Sequence, residues 1–253
     1  MRMDLLQASI ADKAGQGGCV VVALSGGVDS SLVALAAFRA VGERAIAVTG
    51  DHELVARREL DRAAELAALI GMAHRVLPVE PLDDPLVRGN GPDRCYGCKR
   101  ALFRAIREAL GADCLVLDGT NADDDPARPG LRAVREWGVV SPLKACGLCK
   151  SDVRALARES GLPTWDRPSE SCLATRIPTG TPLEPGELAL VDRLESFFHA
   201  RGVESLRVRP DNLMATVEYM PEHSEIVDKL RDNFAAEIEG IGLRSCRFRE
   251  WRE

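Results

Sequence analysis

The apolar pattern of the chain opens with CVVVAL (19–24), too short for a helix and too continuous for a strand exposed on one side. Such a run suits a strand buried on both faces of a sheet. Similar runs give strand candidates at 19–25, 45–49, 74–79, 114–118 and 138–142. Between them, near 29–41, 54–70, 96–110 and 151–160, apolar residues recur at the three-to-four spacing of a helix face. A glycine follows each helix (Gly42, Gly71, Gly111, Gly161), the residue that most easily takes the left-handed conformation ending one. This alternation predicts an α/β fold, a parallel doubly wound sheet covered by helices on both faces. Ligands bind such sheets beyond the carboxyl ends of the strands, so the loops there carry the functional reading.

The pattern changes after TPLEPGE (181–187). A helix reads as ELALVDRLESFFHARG, followed by alternating strands SLRVR (205–209) and LMATVEY (213–219), a helix near 222–239 and a last strand in LRSCRFRE. This αββαβ order predicts a small α+β domain with an antiparallel sheet. The expected domains are 1–178 and 179–253.

Composition narrows the class. Hydrophobic residues at 45% and charged residues at 28% are ordinary for a globular chain, and the net charge of −6 speaks against a nucleic-acid partner. No apolar run reaches the length of a membrane span, and MRMDLLQASIADKAG lacks the features of a secretory signal, so a cytoplasmic protein is expected. Eight cysteines in so core-rich a chain point to packing, metal binding or catalysis. Cys19, Cys114 and Cys246 lie in apolar, strand-like segments and read as packing residues. Cys95, Cys98, Cys146, Cys149 and Cys172 remain.

The first strand runs into SGGVDSS (25–31), which opens a helix. Gly26 and Gly27 allow close approach of an anion, and the start of the helix at Val28 offers unpaired N–H groups. Ser25, Ser30 and Ser31 add hydroxyls. No lysine follows the glycines, so this is not a Walker A loop. Asp29 suits a magnesium ion beside the phosphates.

SGGVDSS resembles the PP-loop of the ATP pyrophosphatase superfamily, which implies cleavage of ATP to AMP and pyrophosphate with adenylation of a substrate oxygen. On that resemblance Thr49, in AVTGD after the second strand, lies where adenine is held. DGTNADD (118–124) then brings Asn121, Asp123 and Asp124 to the same crevice. A longer set of segments, in order, is similar to the LarE family: SGGVDSS, DRCYGCK, DGTNADD, RPGLRAVREWGVVSPL, KSDVRALARESGLPTWDRPSESCLATRIPTG and LRVRPDNLMATVEY. That resemblance implies an ATP- and magnesium-dependent sulfur transferase that converts a carboxylate of a pyridinium dicarboxylate mononucleotide into a thiocarboxylate.

It also implies that Cys172, in SESCLATRIP, is the sulfur-bearing cysteine, with Arg176 lowering its thiol pKa or binding a substrate anion. Arg207 and Arg209 match anion-binding positions, with Glu195 and Glu218 as acidic neighbours; Arg247 and Arg249 read as an ordinary charged sheet face. Two sulfur routes follow. Either Cys172 gives up its own sulfur, or Cys95, Cys98 and Cys172 hold a 4Fe–4S cluster with one iron left open for an exogenous sulfide. The CxxC spacing of Cys95 and Cys98 favours the cluster route.

Two features depart from the family pattern: Cys146 and Cys149, a second CxxC that keeps structural zinc in view, and Thr179, where an aromatic is usual. The resemblance further implies a homo-oligomer. The rival readings are a tRNA-thiolating PP-loop enzyme and a zinc- or nucleotide-binding module without turnover.

Overall fold

The computed structural model describes residues 2–251 of the chain, which divide between Glu170 and Ser171 into two compact units. The division falls inside the SESC segment, eight positions ahead of the boundary read from the sequence, so Cys172 belongs to the second unit.

The first unit begins with α1 (Arg2–Ala14), β1 (Val20–Ala23), α2 (Val28–Val41), β2 (Ala45–Asp51), α3 (Arg57–Ile70) and β3 (Ala73–Pro78). The short α4 (Pro85–Arg88) and then α5 (Arg94–Leu110), β4 (Leu115–Leu117), α6 (Pro129–Glu136), the one-turn α7 (Pro142–Ala145) and α8 (Lys150–Glu159) follow. All four strands are parallel, in the order β3-β2-β1-β4. Alternate residues of β1 serve opposite faces, as the two-residue repeat of a strand requires. Val20 and Val22 pack with Leu6 and Ile10 of α1, the buried face of α2, and Val153 and Leu156 of α8. Val21 packs on the other face with Tyr96, Phe103 and Ile106 of α5 and Leu131 and Val134 of α6. The apolar run therefore reflects burial on both faces, and the predicted α/β architecture stands. All four helix-ending glycines have positive φ.

The candidate strand at 138–142 shrinks to one bridge. Val140 pairs with Leu117, its N–H donating to Val116 and its carbonyl accepting from Asp118. Pro142 then starts α7, and a proline has no N–H with which to continue a ladder.

In the second unit a 3-10 turn (Leu173–Arg176) precedes α9 (Pro185–His199), β5 (Leu206–Asp211), β6 (Met214–Tyr219), α10 (Ser224–Glu239) and β7 (Ser245–Glu250). The elements fall where the pattern puts them, but the sheet is mixed. β5 and β6 are antiparallel, whereas β7 runs parallel to β6 because α10 carries the chain back along the sheet before β7 begins. Leu206, Val208, Ala215 and Val217 face a core built with Phe198 of α9 and Phe234 of α10. Among the described residues no helix is long and apolar enough to cross a membrane.

Candidate active site

Beyond β1 the backbone stays in register for one more residue, Leu24 donating to Val48 (2.8 Å), and then turns through Ser25, Gly26 and Gly27 into α2. Gly26 takes φ +78°, a conformation that a side chain would strain. Gly27 is the cap of α2 and has no side chain to occupy the N–H groups of the first turn, which leaves the helix terminus available to an anion. The serines brace this loop. The hydroxyls of Ser30 and Ser31 donate to the Gly27 carbonyl (3.1 and 2.7 Å), and Ser30 Oγ also accepts the Ser25 N–H (3.2 Å). Ser30 and Ser31 are buried and Ser25 is exposed, so of the three only Ser25 presents an accessible hydroxyl. Val28 contributes backbone alone, since its side chain lies in the core. Thr49 is buried too, its hydroxyl meeting the Leu24 carbonyl and His74 Nε2, both at 2.8 Å.

The loop after β4 reaches the start of α2 through Gly119. A Cβ on Gly119 would stand 2.8 Å from the Ser30 nitrogen and 3.1 Å from the Asp29 carbonyl carbon, so any side chain would push the two segments apart. This contact brings Asn121 within range of Asp29, where its Nδ2 donates to Oδ1 (3.0 Å). Asp124 accepts the Asn121 N–H (2.9 Å) and pairs with Arg128, closing the loop on itself. Behind the loop, buried Asp118 accepts from Lys99 (3.0 Å), the Thr120 hydroxyl (2.7 Å) and Ser141 (2.6 Å). Burial pushes its pKa up, but Lys99 and the hydroxyl donors outweigh that and hold it below the ordinary carboxylate value.

The second oxygen of Asp29 pairs with the ammonium of Lys150, the first residue of α8, whose own N–H donates to Asp123 (2.7 Å). Lys150, Lys99, Asp118 and Gly119 do not stand out in the sequence, though each lies in or beside the motifs KSDVR, RCYGCK and DGTNADD. A lysine, absent from the glycine loop itself, thus reaches Asp29 from far along the chain.

The cysteines separate by task. Cys95 is exposed and Cys98 half-buried on the first turn of α5, with Cys98 Sγ 4.0 Å from His52 Nε2. Burial drives the His52 imidazole down to about 4, so it is neutral at physiological pH. Cys146 packs against the first core. Cys149 caps α8, with its sulfur near Asp152 (3.1 Å) and Ser151 (3.0 Å). Among the described residues no group of three or more His, Cys, Asp or Glu side chains is gathered as a metal site. In the CGLC pair Cys146 packs and Cys149 caps.

In the second unit Cys172 precedes the 3-10 turn. Its carbonyl accepts from the Thr175 N–H (3.0 Å), the Thr175 hydroxyl (2.9 Å) and Arg176 Nη1 (3.3 Å). Arg176 and Glu195 form a buried, two-point ion pair (2.7 and 2.8 Å). Arg209 donates to the Thr175 carbonyl (2.6 Å) and to Glu218 (2.9 Å), and Arg249, read from sequence as an unremarkable surface charge, binds the other Glu218 oxygen. Burial tends to raise the Glu218 pKa, but the two arginines outweigh it and hold it below the ordinary value. Arg207 lies over the Trp251 ring, 4.2 Å from its centroid, and Thr179 is exposed.

A family model described as asparagine synthase matches residues 3–85. The chain is 36% identical to an uncharacterised protein of Synechocystis, over 80% of this chain and 76% of that protein. It is 34% identical to the pyridinium-3,5-bisthiocarboxylic acid mononucleotide synthase of Lactiplantibacillus plantarum, over 89% of this chain and 83% of the synthase. A tRNA-specific 2-thiouridylase of Azorhizobium caulinodans is 33% identical over 59% of this chain and 48% of its own length.

Proposed function

The chain belongs to the LarE family of PP-loop ATP pyrophosphatases, and we propose that it uses ATP to adenylate a carboxylate of a pyridinium dicarboxylate mononucleotide and converts it to a thiocarboxylate with sulfur carried by Cys172. The observation that supports the first half is the meeting of Asp29, Asn121 and Lys150 at the opening of α2, directly beyond the SGG turn. Phosphates placed there meet the free N–H groups of α2 and the Lys150 ammonium. The Asp29 carboxylate, a hard oxygen ligand, would hold a divalent ion once Lys150 turns from it to the phosphates. When bound, magnesium neutralises phosphate charge; Asn121 holds the orientation of Asp29 throughout.

In the first step a substrate carboxylate oxygen attacks the α-phosphorus of ATP, the α–β bridging bond breaks, and pyrophosphate leaves. In the second, the Cys172 thiolate attacks the acyl carbon and AMP leaves, giving a thioester. Loss of the Cys172 α-proton and cleavage of its Cβ–S bond then release the thiocarboxylate and leave dehydroalanine. Atoms balance with no outside oxidant or reductant. The test is incubation with ATP, magnesium and the pyridinium substrate, followed by pyrophosphate assay and intact mass. Pyrophosphate is expected on either sulfur route, and loss of the elements of hydrogen sulfide from the protein marks the sacrificial one; absence of pyrophosphate removes the enzyme reading.

A second sulfur route is favoured by the placement of Cys95 and Cys98 one helical turn apart on α5. These two offer half the thiolates of a cubane cluster and would need Cys172 as a third. Iron and sulfide analysis after anaerobic purification tests it: a colourless, iron-free protein after reconstitution sinks the cluster. The second unit is taken as the anion-binding and oligomer-forming unit, which light scattering and phosphate titration of Arg207 and Arg209 variants check.

A further inference from the structure

Among the charged pairs of the described residues of the second unit, Arg176 and Glu195 differ in their environment. Each side chain is only 2% exposed. Nε and Nη2 of Arg176 bind the two oxygens of Glu195, and Nη1 donates to the Ser171 carbonyl (2.8 Å), the Ser171 hydroxyl (2.8 Å), the Thr175 hydroxyl (3.0 Å) and the Cys172 carbonyl (3.3 Å). All three guanidinium nitrogens are therefore engaged inside the protein. Glu195 Oε1 also accepts the N–H of Val208, which fastens the pair to β5 (2.9 Å). The result is a five-residue segment, 171–175, wrapped around one guanidinium and anchored to α9 and β5, with Cys172 as its second residue.

Burying an ion pair carries a desolvation cost for each ion and adds little net stability against an apolar pair of similar volume. Its value lies in geometry, because a bidentate arginine fixes direction as well as distance. A guanidinium neutralised by Glu195 and closed to solvent has neither the charge nor the access to receive a substrate anion. Its bond to Cys172, at 3.3 Å, goes to the backbone carbonyl.

We infer that Arg176 and Glu195 are a positioning pair that holds the Cys172 backbone for sulfur transfer, and that neither binds substrate nor activates the thiol. The inference rests on the proposed role of Cys172 as sulfur carrier. It separates two readouts. Pyrophosphate formation needs ATP and the substrate carboxylate in place but no sulfur, whereas thiocarboxylate formation also needs Cys172.

The experiment compares wild type, Glu195→Gln and the double variant Arg176→Met/Glu195→Met, which leaves no buried unpaired charge. Single-turnover pyrophosphate formation from ATP and the carboxylate substrate is expected to stay within twofold of wild type. Thiocarboxylate formation falls about 100-fold, the loss that follows misplacement of a reacting group by about an ångström. The pH profile of Cys172 alkylation by iodoacetamide keeps its wild-type midpoint. An upward shift of that midpoint in the variants would show that Arg176 activates the thiol and would overturn the inference; so would sulfur transfer at the wild-type rate by a folded variant. Where the double variant does not fold, Arg176→Lys carries the test with the same expected loss, because a lysine keeps the charge but cannot reach both Glu195 oxygens and the 171–175 acceptors. Sulfur transfer that survives Cys172→Ala overturns both the inference and the reading beneath it. A dead Cys172→Ala enzyme beside fully active pair variants overturns the inference alone.

Discussion

Two ion pairs, one in each unit, show how the same chemistry serves opposite ends. In the first unit Lys150 meets Asp29 through one oxygen, with the side chains 33% and 21% exposed, and the other oxygen of Asp29 is held by Asn121. In the second, Arg176 grips both oxygens of Glu195 with each partner 2% exposed. The first pair is held at one point and open to water, so an incoming phosphate or metal ion can exchange with it at modest cost. The second is closed on every side and cannot exchange without local unfolding. A site that must admit ligands keeps its charges accessible; a segment that must hold still buries them.

The contrast breaks most plainly under substitution. Arg176→Ala is expected to destabilise the second unit by about 3–5 kcal/mol, because it strands a buried Glu195 charge; a urea melt that moves by less than about 1 kcal/mol would place the pair among ordinary surface contacts. Lys150→Met is expected to behave the other way, changing stability by less than about 1 kcal/mol while slowing pyrophosphate formation about 100-fold. Equal rates in the variant and wild type would remove Lys150 from the nucleotide site. Gly119→Ala sharpens the picture of how the open pair is assembled: its Cβ would meet backbone at 2.8 Å, and a cost of about 1–3 kcal/mol is expected in thermal or chemical melts, together with weaker ATP binding. A neutral outcome would mean that the loop after β4 has slack.

The smallest effect concerns pH. The folded state holds Asp118 below its ordinary value near 3.8, so its contribution to stability is complete above that value and is lost as the pH falls through the lower folded one. Asp118→Asn should be less stable than wild type at neutral pH and should show a shallower loss at the acid end. Parallel acid limbs in the two proteins would contradict the assigned network.

Much of this was legible because the signals are local. β1 to β4 announce themselves as short apolar runs, and SGGVDSS marks the loop by its order of residues alone. Elements with weak local signals were not legible. α1 buries only Leu6 and Ile10, too thin a stripe to set its thirteen residues apart from a polar leader. The single bridge at Val140 looks like a strand until the proline after Ser141 is weighed. The direction of β7 depends on where α10 delivers the chain, which no pattern within β7 records.

At the site, Lys150 escaped notice because it meets Asp29 across 121 positions and sits beside a pair of cysteines that draw attention to metal chemistry. Arg176 and Glu195 were both visible as charges, but their mutual burial was not. Charged residues are so commonly exposed that the sequence favours an anion-binding reading over an internal clamp.

The most direct test of the account follows pyrophosphate and thiocarboxylate together in Cys172→Ala under single-turnover conditions with ATP, magnesium and the pyridinium substrate. The account predicts pyrophosphate at the wild-type rate and no thiocarboxylate, since activation belongs to the nucleotide site and the sulfur to Cys172. Thiocarboxylate formed by the variant, or loss of pyrophosphate from it, would contradict that division of labour.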